Sequence, residues 1–166
     1  MLDGVFSRNV DGGVLSFERH IDRPVDKVWA ALTIPERVAD WCGNGAEVDL
    51  RIGGVFRIHW PDGMGVMNGE ITALEPPQLL EYTWHEPAVA VPASRVRWTL
   101  SPDGAGCQLK LEHIFTSIDP KSATEFAGGW DGILAAIVRA ADGEATPMDT
   151  EGYKQREAAY AAKFGA

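Results

Sequence analysis

Among the groups in this chain of 166 residues that could do chemistry, His113 has the most informative setting. Residues 107–115 alternate, which predicts a strand with Cys107, Leu109, Leu111, His113 and Phe115 inward and Gln108, Lys110 and Glu112 toward water. A buried imidazole needs a hydrogen-bond partner. It could orient a ligand's carbonyl or hydroxyl, or act as a general acid–base. Equally, it could be a satisfied core histidine, bonded to a backbone carbonyl or to the Tyr82 hydroxyl. The remaining histidines, His20, His59 and His85, fall on outward faces and read as solvated. No H-x-x-x-H, C-x-x-C or His/carboxylate pair at ligand spacing occurs, so neither a metal nor a cofactor is expected. Ser16, Ser94 and Ser117 lack a nucleophile elbow, and Gly53-Gly54 has no following helix to cradle phosphate. No residue is therefore assigned a catalytic role. Asp131 could reach a pocket rim, but on an amphipathic helix it reads as solvent-facing or paired with an arginine.

The elements that must position these groups begin with the stretch 119–141. Phe126, Trp130, Ile133, Leu134 and Ile137 recur at steps of three and four, one apolar face of a long helix. Asp119 is placed to cap it and Pro120 to open it. Before it, residues 13–115 are mostly strand-like. Val14–Ile21 alternates, Val25, Val28, Trp29 and Leu32 mark a short helix, and Thr33-Ile34-Pro35-Glu36 has capping-box spacing before a second helix ending near Trp41. Strands are predicted over 47–52, 55–60, 64–74, 79–85, 95–100 and 107–115, with a turn at Pro61-Asp62-Gly63 and another over 101–106. Pro87–Ala93 is apolar but bounded by prolines, hence a loop. Thr150–Phe164 reads as a further helix with Tyr153, Tyr160 and Phe164 on one side.

Strand parity and the helix stripe together define an inner wall. Phe56, Ile58, Trp60, Tyr82, Trp84, Val96 and Trp98 face Leu111, His113, Phe115, Phe126, Trp130, Ile133 and Leu134, with Trp41 near one end. Such a wall either lines a pocket for a flat or greasy ligand or simply fills the core.

Composition narrows the partners. A net charge of −9 disfavours nucleic acid and anionic lipid surfaces. No apolar run reaches the roughly 18 residues of a membrane span, and no signal-like N-terminus is present. Cys42 and Cys107 lie in different elements and read as reduced thiols in a cytoplasmic protein, with a disulfide as the alternative.

Several short motifs carry a family likeness. Pro24-Val25-Asp26-Lys27-Val28-Trp29-Ala30-Ala31-Leu32-Thr33-Ile34-Pro35-Glu36, ending in Trp41, resembles the opening of the START-like (SRPBCC) superfamily. Arg51-Ile52-Gly53-Gly54-Val55-Phe56, Glu75-Pro76-Pro77-Gln78-Leu79, Tyr82-Thr83-Trp84 and Gly129-Trp130 look like its branch related to activators of the 90-kDa heat-shock chaperone ATPase. The resemblance implies an α+β helix-grip fold, an antiparallel sheet curled round a long C-terminal helix with a cavity between. The expected organisation is a lead-in over 1–12, a START-like ligand-binding domain over 13–141, and a linker plus appended helix over 142–166 packing on the domain. Within the superfamily are lipid carriers, hormone receptors and polyketide cyclases. The expectation is a protein that binds a small hydrophobic or aromatic molecule. The alternatives are a cyclase- or lyase-type enzyme using His113, and a chaperone-linked or protein-interaction module. The eukaryotic activators carry a separate N-terminal domain that this chain does not have, so chaperone activation is not carried over. The loop 87–93 and the last helix are either a lid and a packed tail or contacts of a homodimer.

Overall fold

Alternating apolar and polar residues build eight strands, and all of them join one antiparallel sheet. The computed structural model describes residues 2–147 and 149–166; Met1 and Met148, in the lead-in and the linker, lie outside the described residues. In chain order the elements are β1 (Val5–Arg8), β2 (Gly13–Ile21), α1 (Val25–Thr33), α2 (Pro35–Cys42), β3 (Ala46–Val48), β4 (Val55–His59), β5 (Val66–Glu75), β6 (Leu79–Trp84), β7 (Ser94–Asp103), β8 (Gly106–Phe115), α3 (Pro120–Ala141) and α4 (Thr150–Phe164). The sheet order is β1-β2-β8-β7-β6-β5-β4-β3. Strands β3 to β8 therefore form a meander, and the N-terminal β2 closes it by pairing with β8, from Gly13 opposite Phe115 to Ile21 opposite Cys107. This is the helix-grip arrangement: a curved, unclosed sheet with α3 against its concave face.

Alternation is strict where the sheet meets α3. In β8 the inward Cys107, Leu109, Leu111, His113 and Phe115 are all buried, and Val96, Trp98 and Leu100 of β7 join them. Each fully buried Leu, Ile or Phe contributes about 1.5–3 kcal/mol, so this interface is the main source of stability. The helix is fastened at its start, where the Asp119 carboxylate accepts the Ser122 N–H at 2.9 Å, a cap worth about 1 kcal/mol. Trp130, Leu134 and Ile137 turn into the core, whereas Phe126 and Ile133 are half-buried.

Four local expectations are corrected. The lead-in is not loose throughout: Val5–Arg8 pairs with residues 13–16 as the edge strand β1. The capping box does not form. Pro35 occupies the first helical position of α2, which moves the cap to Ile34, and the Thr33 hydroxyl bonds back to the Trp29 carbonyl at 2.7 Å. The strand expected over 47–52 ends at Val48, because Asp49–Gly54 tightens into turns in which the Arg51 N–H donates to the Asp49 carbonyl and Gly53 adopts a φ of 82°. Conversely β7 runs past Ser101 and Pro102 to Asp103 and β8 begins at Gly106, so the connecting turn shrinks to Gly104 and Ala105.

An ionic and hydrogen-bonded cluster ties both terminal segments to the core. Arg19 shares the inward parity of Leu15 and Phe17, and its guanidinium bonds both Asp3 oxygens at 2.8 and 2.7 Å and Asp131 at 2.6 Å. Burial pushes the Asp3 carboxyl up, but the hydrogen bond and charge of Arg19 outweigh it and hold the group below its ordinary value. The Tyr160 hydroxyl of α4 donates to the other Asp131 oxygen at 2.8 Å and accepts the Gly4 N–H at 3.1 Å. Asp131 is thus the arginine-paired pin of this cluster and lines no pocket rim. Helix α4 lies close against α3 because residue 128 is glycine: a Cβ there would stand 3.0 Å from the Glu157 nitrogen.

Candidate functional site

The inner wall is assembled from β4, β6, β7 and β8 on one side and α3 on the other, and its rings touch one another continuously. Phe56 stacks on Tyr82 at 3.9 Å between centroids, Trp84 meets Trp130 at 5.1 Å, and Trp98 meets Trp130 edge-on at 5.5 Å. His113 stacks on Phe115 at 4.0 Å, and Phe126 covers both. Phe56, Ile58, Tyr82, Val96, Trp98, Leu111 and His113 have no surface that water could touch, from outside or from within. Trp41, Trp84, Phe115, Trp130 and Leu134 are also buried, while Trp60, Phe126 and Ile133 are half-buried. In this conformation the wall is a filled interior.

Every indole in this wall has an acceptor, as buried indoles require. Trp41 donates to the Ala31 carbonyl at 2.8 Å, Trp98 to the Tyr82 hydroxyl at 3.0 Å, and Trp130 to His113 Nδ1 at 3.0 Å. The last bond fixes the histidine's state. An indole only donates, so Nδ1 must be the unprotonated nitrogen and Nε2 carries the hydrogen. Nε2–H then donates to Ser94 Oγ at 2.7 Å, and the Ser94 hydroxyl donates onward to the Trp84 carbonyl at 3.4 Å. Burial pushes His113 well below its ordinary 6.5, so the imidazole is neutral at physiological pH. Both ring nitrogens are engaged with protein groups, and Tyr82, whose hydroxyl burial pushes up, is occupied by Trp98. Neither Ser94 nor Trp130 was foreseen as a partner of His113.

The margin of the wall lies under the β6–β7 connection. Glu86 Oε1 accepts the Trp60 indole N–H at 2.8 Å and Oε2 accepts that of Trp84 at 3.1 Å. Beyond it the loop folds Val91, 8% exposed, over Trp84, Ser94 and Phe126 and leaves no space for a water molecule. The backbone of residues 87–93 is lightly held: among the described residues its one hydrogen bond runs from the Val89 N–H to the Glu86 carbonyl at 3.0 Å. No group of three His, Cys, Asp or Glu side chains suited to a metal occurs among the described residues. No helix among them is long and apolar enough to cross a membrane.

A family model described as activator of Hsp90 ATPase homolog 1-like protein matches residues 22–142, most of the chain and both sides of the wall. The chain belongs to this family. Its likeness to CalU16 from Micromonospora echinospora extends over 98% of both chains, with 28% identity and a TM-score of 0.75. MLL2253 from Mesorhizobium loti is 29% identical over 78% of this chain and 96% of its own, with a TM-score of 0.68. DynU16, from the dynemicin biosynthetic locus, is 25% identical over 78% of this chain and 47% of its own, with a TM-score of 0.69. No curated protein sequence matches the chain. Family membership brings the START-like fold; the identity of any bound molecule lies outside it.

Proposed function

We propose that this protein binds a small hydrophobic or aromatic molecule between the sheet and α3, beneath the 87–93 loop, without covalent chemistry. The observation that carries the reading is the loop itself. An apolar residue, Val91, plugs an aromatic wall from a segment whose backbone makes one hydrogen bond, so displacing it costs little. The half-buried Trp60 and Phe126 mark the side from which a ligand enters, and the buried aromatic residues form the surface onto which it packs. His113, neutral and doubly bonded, serves here to hold Trp130 and Ser94 in place; an acid–base role would require both bonds to break. Membership of DynU16 in a biosynthetic locus is in keeping with a small-molecule role for proteins of this fold. A cytoplasmic location is part of the proposal, supported by the free, buried thiols of Cys42 and Cys107.

The filled interior favours a second reading, in which the outer surface contacts a protein partner, a second copy of the chain included. Native mass spectrometry of the protein purified from its own host separates the two. A stoichiometric small molecule, released on denaturation, is the outcome expected. A bare mass, together with an unchanged melting temperature across a panel of aromatics and lipids, would overturn ligand binding and leave the surface reading.

A further inference from the structure

The interior is filled, but a groove of about 520 Å³ opens where β1, the start of α3 and the end of α4 meet. That volume falls within the range of small-molecule sites. Phe6 and Arg8 reach it from β1, Pro120 and Ala123 from α3, and Lys163 and Phe164 from α4. Arg8 and Lys163 are the charged side chains of its lining, and no acidic side chain joins them. Both are unusual in a chain with 24 acidic and 15 basic residues, where carboxylates are in excess. Among the described residues, every lysine and arginine except Arg8, Lys154 and Lys163 meets a carboxylate. Two of the three unpaired cations thus line one groove. What they touch is neutral: Lys163 donates to the Leu2 and Gly4 carbonyls at 2.7 and 2.8 Å, and Arg8 to the Ile118 carbonyl at 3.4 Å. The third ammonium hydrogen and most of the guanidinium fork stay available. Beside them the Phe6 and Phe164 rings stand 6.1 Å apart at 40°, with the Arg8 guanidinium 5.0 Å from the Phe6 centroid. The first turn of α3 adds little charge, because Asp119 already accepts its Ser122 N–H.

We infer that this groove is a second site, separate from the wall beneath the 87–93 loop, and that it takes a free organic carboxylate on an aryl or alkyl body. The body packs on Phe6, Phe164 and Ala123. The head bonds to the Arg8 fork, whose planar geometry matches two carboxylate oxygens, and to the Lys163 ammonium. A bare inorganic anion would leave the two rings unused. An anionic membrane would bring the whole acidic surface up against like charge, whereas a free carboxylate meets the two cations at contact. This site does not depend on ligand binding in the interior.

Amide NMR of the isotope-labelled full chain, titrated with naphthoate, naphthylmethanol and naphthylmethylammonium at physiological salt, tests it. Naphthoate is expected to bind about tenfold or more tightly than the alcohol, the ammonium most weakly, and to move the amides of residues 5–8 and 163–166. Arg8→Gln and Lys163→Gln each bring the naphthoate-to-alcohol ratio toward one. Lys154→Gln, which removes the same charge outside the groove, keeps it. Taking the ratio within each variant cancels any packing loss shared by both probes, and the wild-type ranking needs no variant at all. Equal affinities in the wild type, no binding of naphthoate, or a ratio that Lys154→Gln lowers as much as the other two, overturn the inference. Naphthoate that moves the amides around Trp84 and Val91 instead also overturns it, while supporting ligand binding under the loop. Capture by phosphatidylserine vesicles without binding of naphthoate overturns it in favour of a membrane-facing groove.

Discussion

At the scale of single residues, His113 has a consequence that can be measured in solution. The folded state holds it neutral, with its pKa depressed, whereas the unfolded chain titrates it near 6.5. Below that pH the unfolded state binds a proton that the folded state does not. Stability is therefore fully present above about 6.5 and falls with acidification, by up to about 1.4 kcal/mol per pH unit. Glu86 acts in the opposite sense, since its raised carboxyl contributes stability below its ordinary 4.5 that is lost as pH rises. Urea denaturation of wild type and His113→Gln between pH 7 and roughly 5 isolates the histidine. The slope is expected in the wild type and absent in the variant; equal slopes would mean that the imidazole charges in place. The inward position of His113 was legible from strand alternation, because parity alone decides it. Its partners were not. Trp130 comes from an element whose rotation against the sheet no local pattern fixes, and Ser94 opens a strand that seemed to start at Arg95. Arg19 did leave a signal, a charge at an inward position of β2, which by itself demands a buried acid such as Asp131.

At the scale of elements, the α3–α4 contact depends on a missing side chain and one hydroxyl. The helical phase of Tyr153, Tyr160 and Phe164 could be read from their spacing, but the close approach at Gly128 could not, since glycine in a helix carries no periodic signal. Gly128→Val puts methyl groups where the Glu157 backbone runs. Hydrogen exchange across 150–164 is expected to accelerate while β7 and β8 stay protected; unchanged protection of α4 would show that the helices can part without loss. Tyr160→Phe removes the acceptor of the Gly4 N–H and one of the partners of Asp131, at a cost of about 1–3 kcal/mol in urea denaturation. A change of only about a few tenths of a kcal/mol would mean that water replaces the hydroxyl. The early end of β3 escaped the sequence for a related reason. Turns over 49–54 are stabilised by bonds between neighbouring backbone groups and by the glycine at 53, which compete locally with a pattern that looks like a strand.

At the scale of the whole molecule, the order of strands dictates an order of events. The meander β3 to β8 joins neighbours in sequence, so each pair can form soon after its second strand is made. Strand β2 has only the short β1 beside it in sequence, paired over residues 13–16; the partner along its whole length, β8, lies some ninety residues later. At roughly 5–20 residues per second of synthesis, the open edge of β2 waits on the order of 5–20 s on the ribosome before β8 can pair with it. The nascent chain thus presents a sticky N-terminal segment to whatever holds unfinished proteins, and the sheet is sealed only when the last strand emerges.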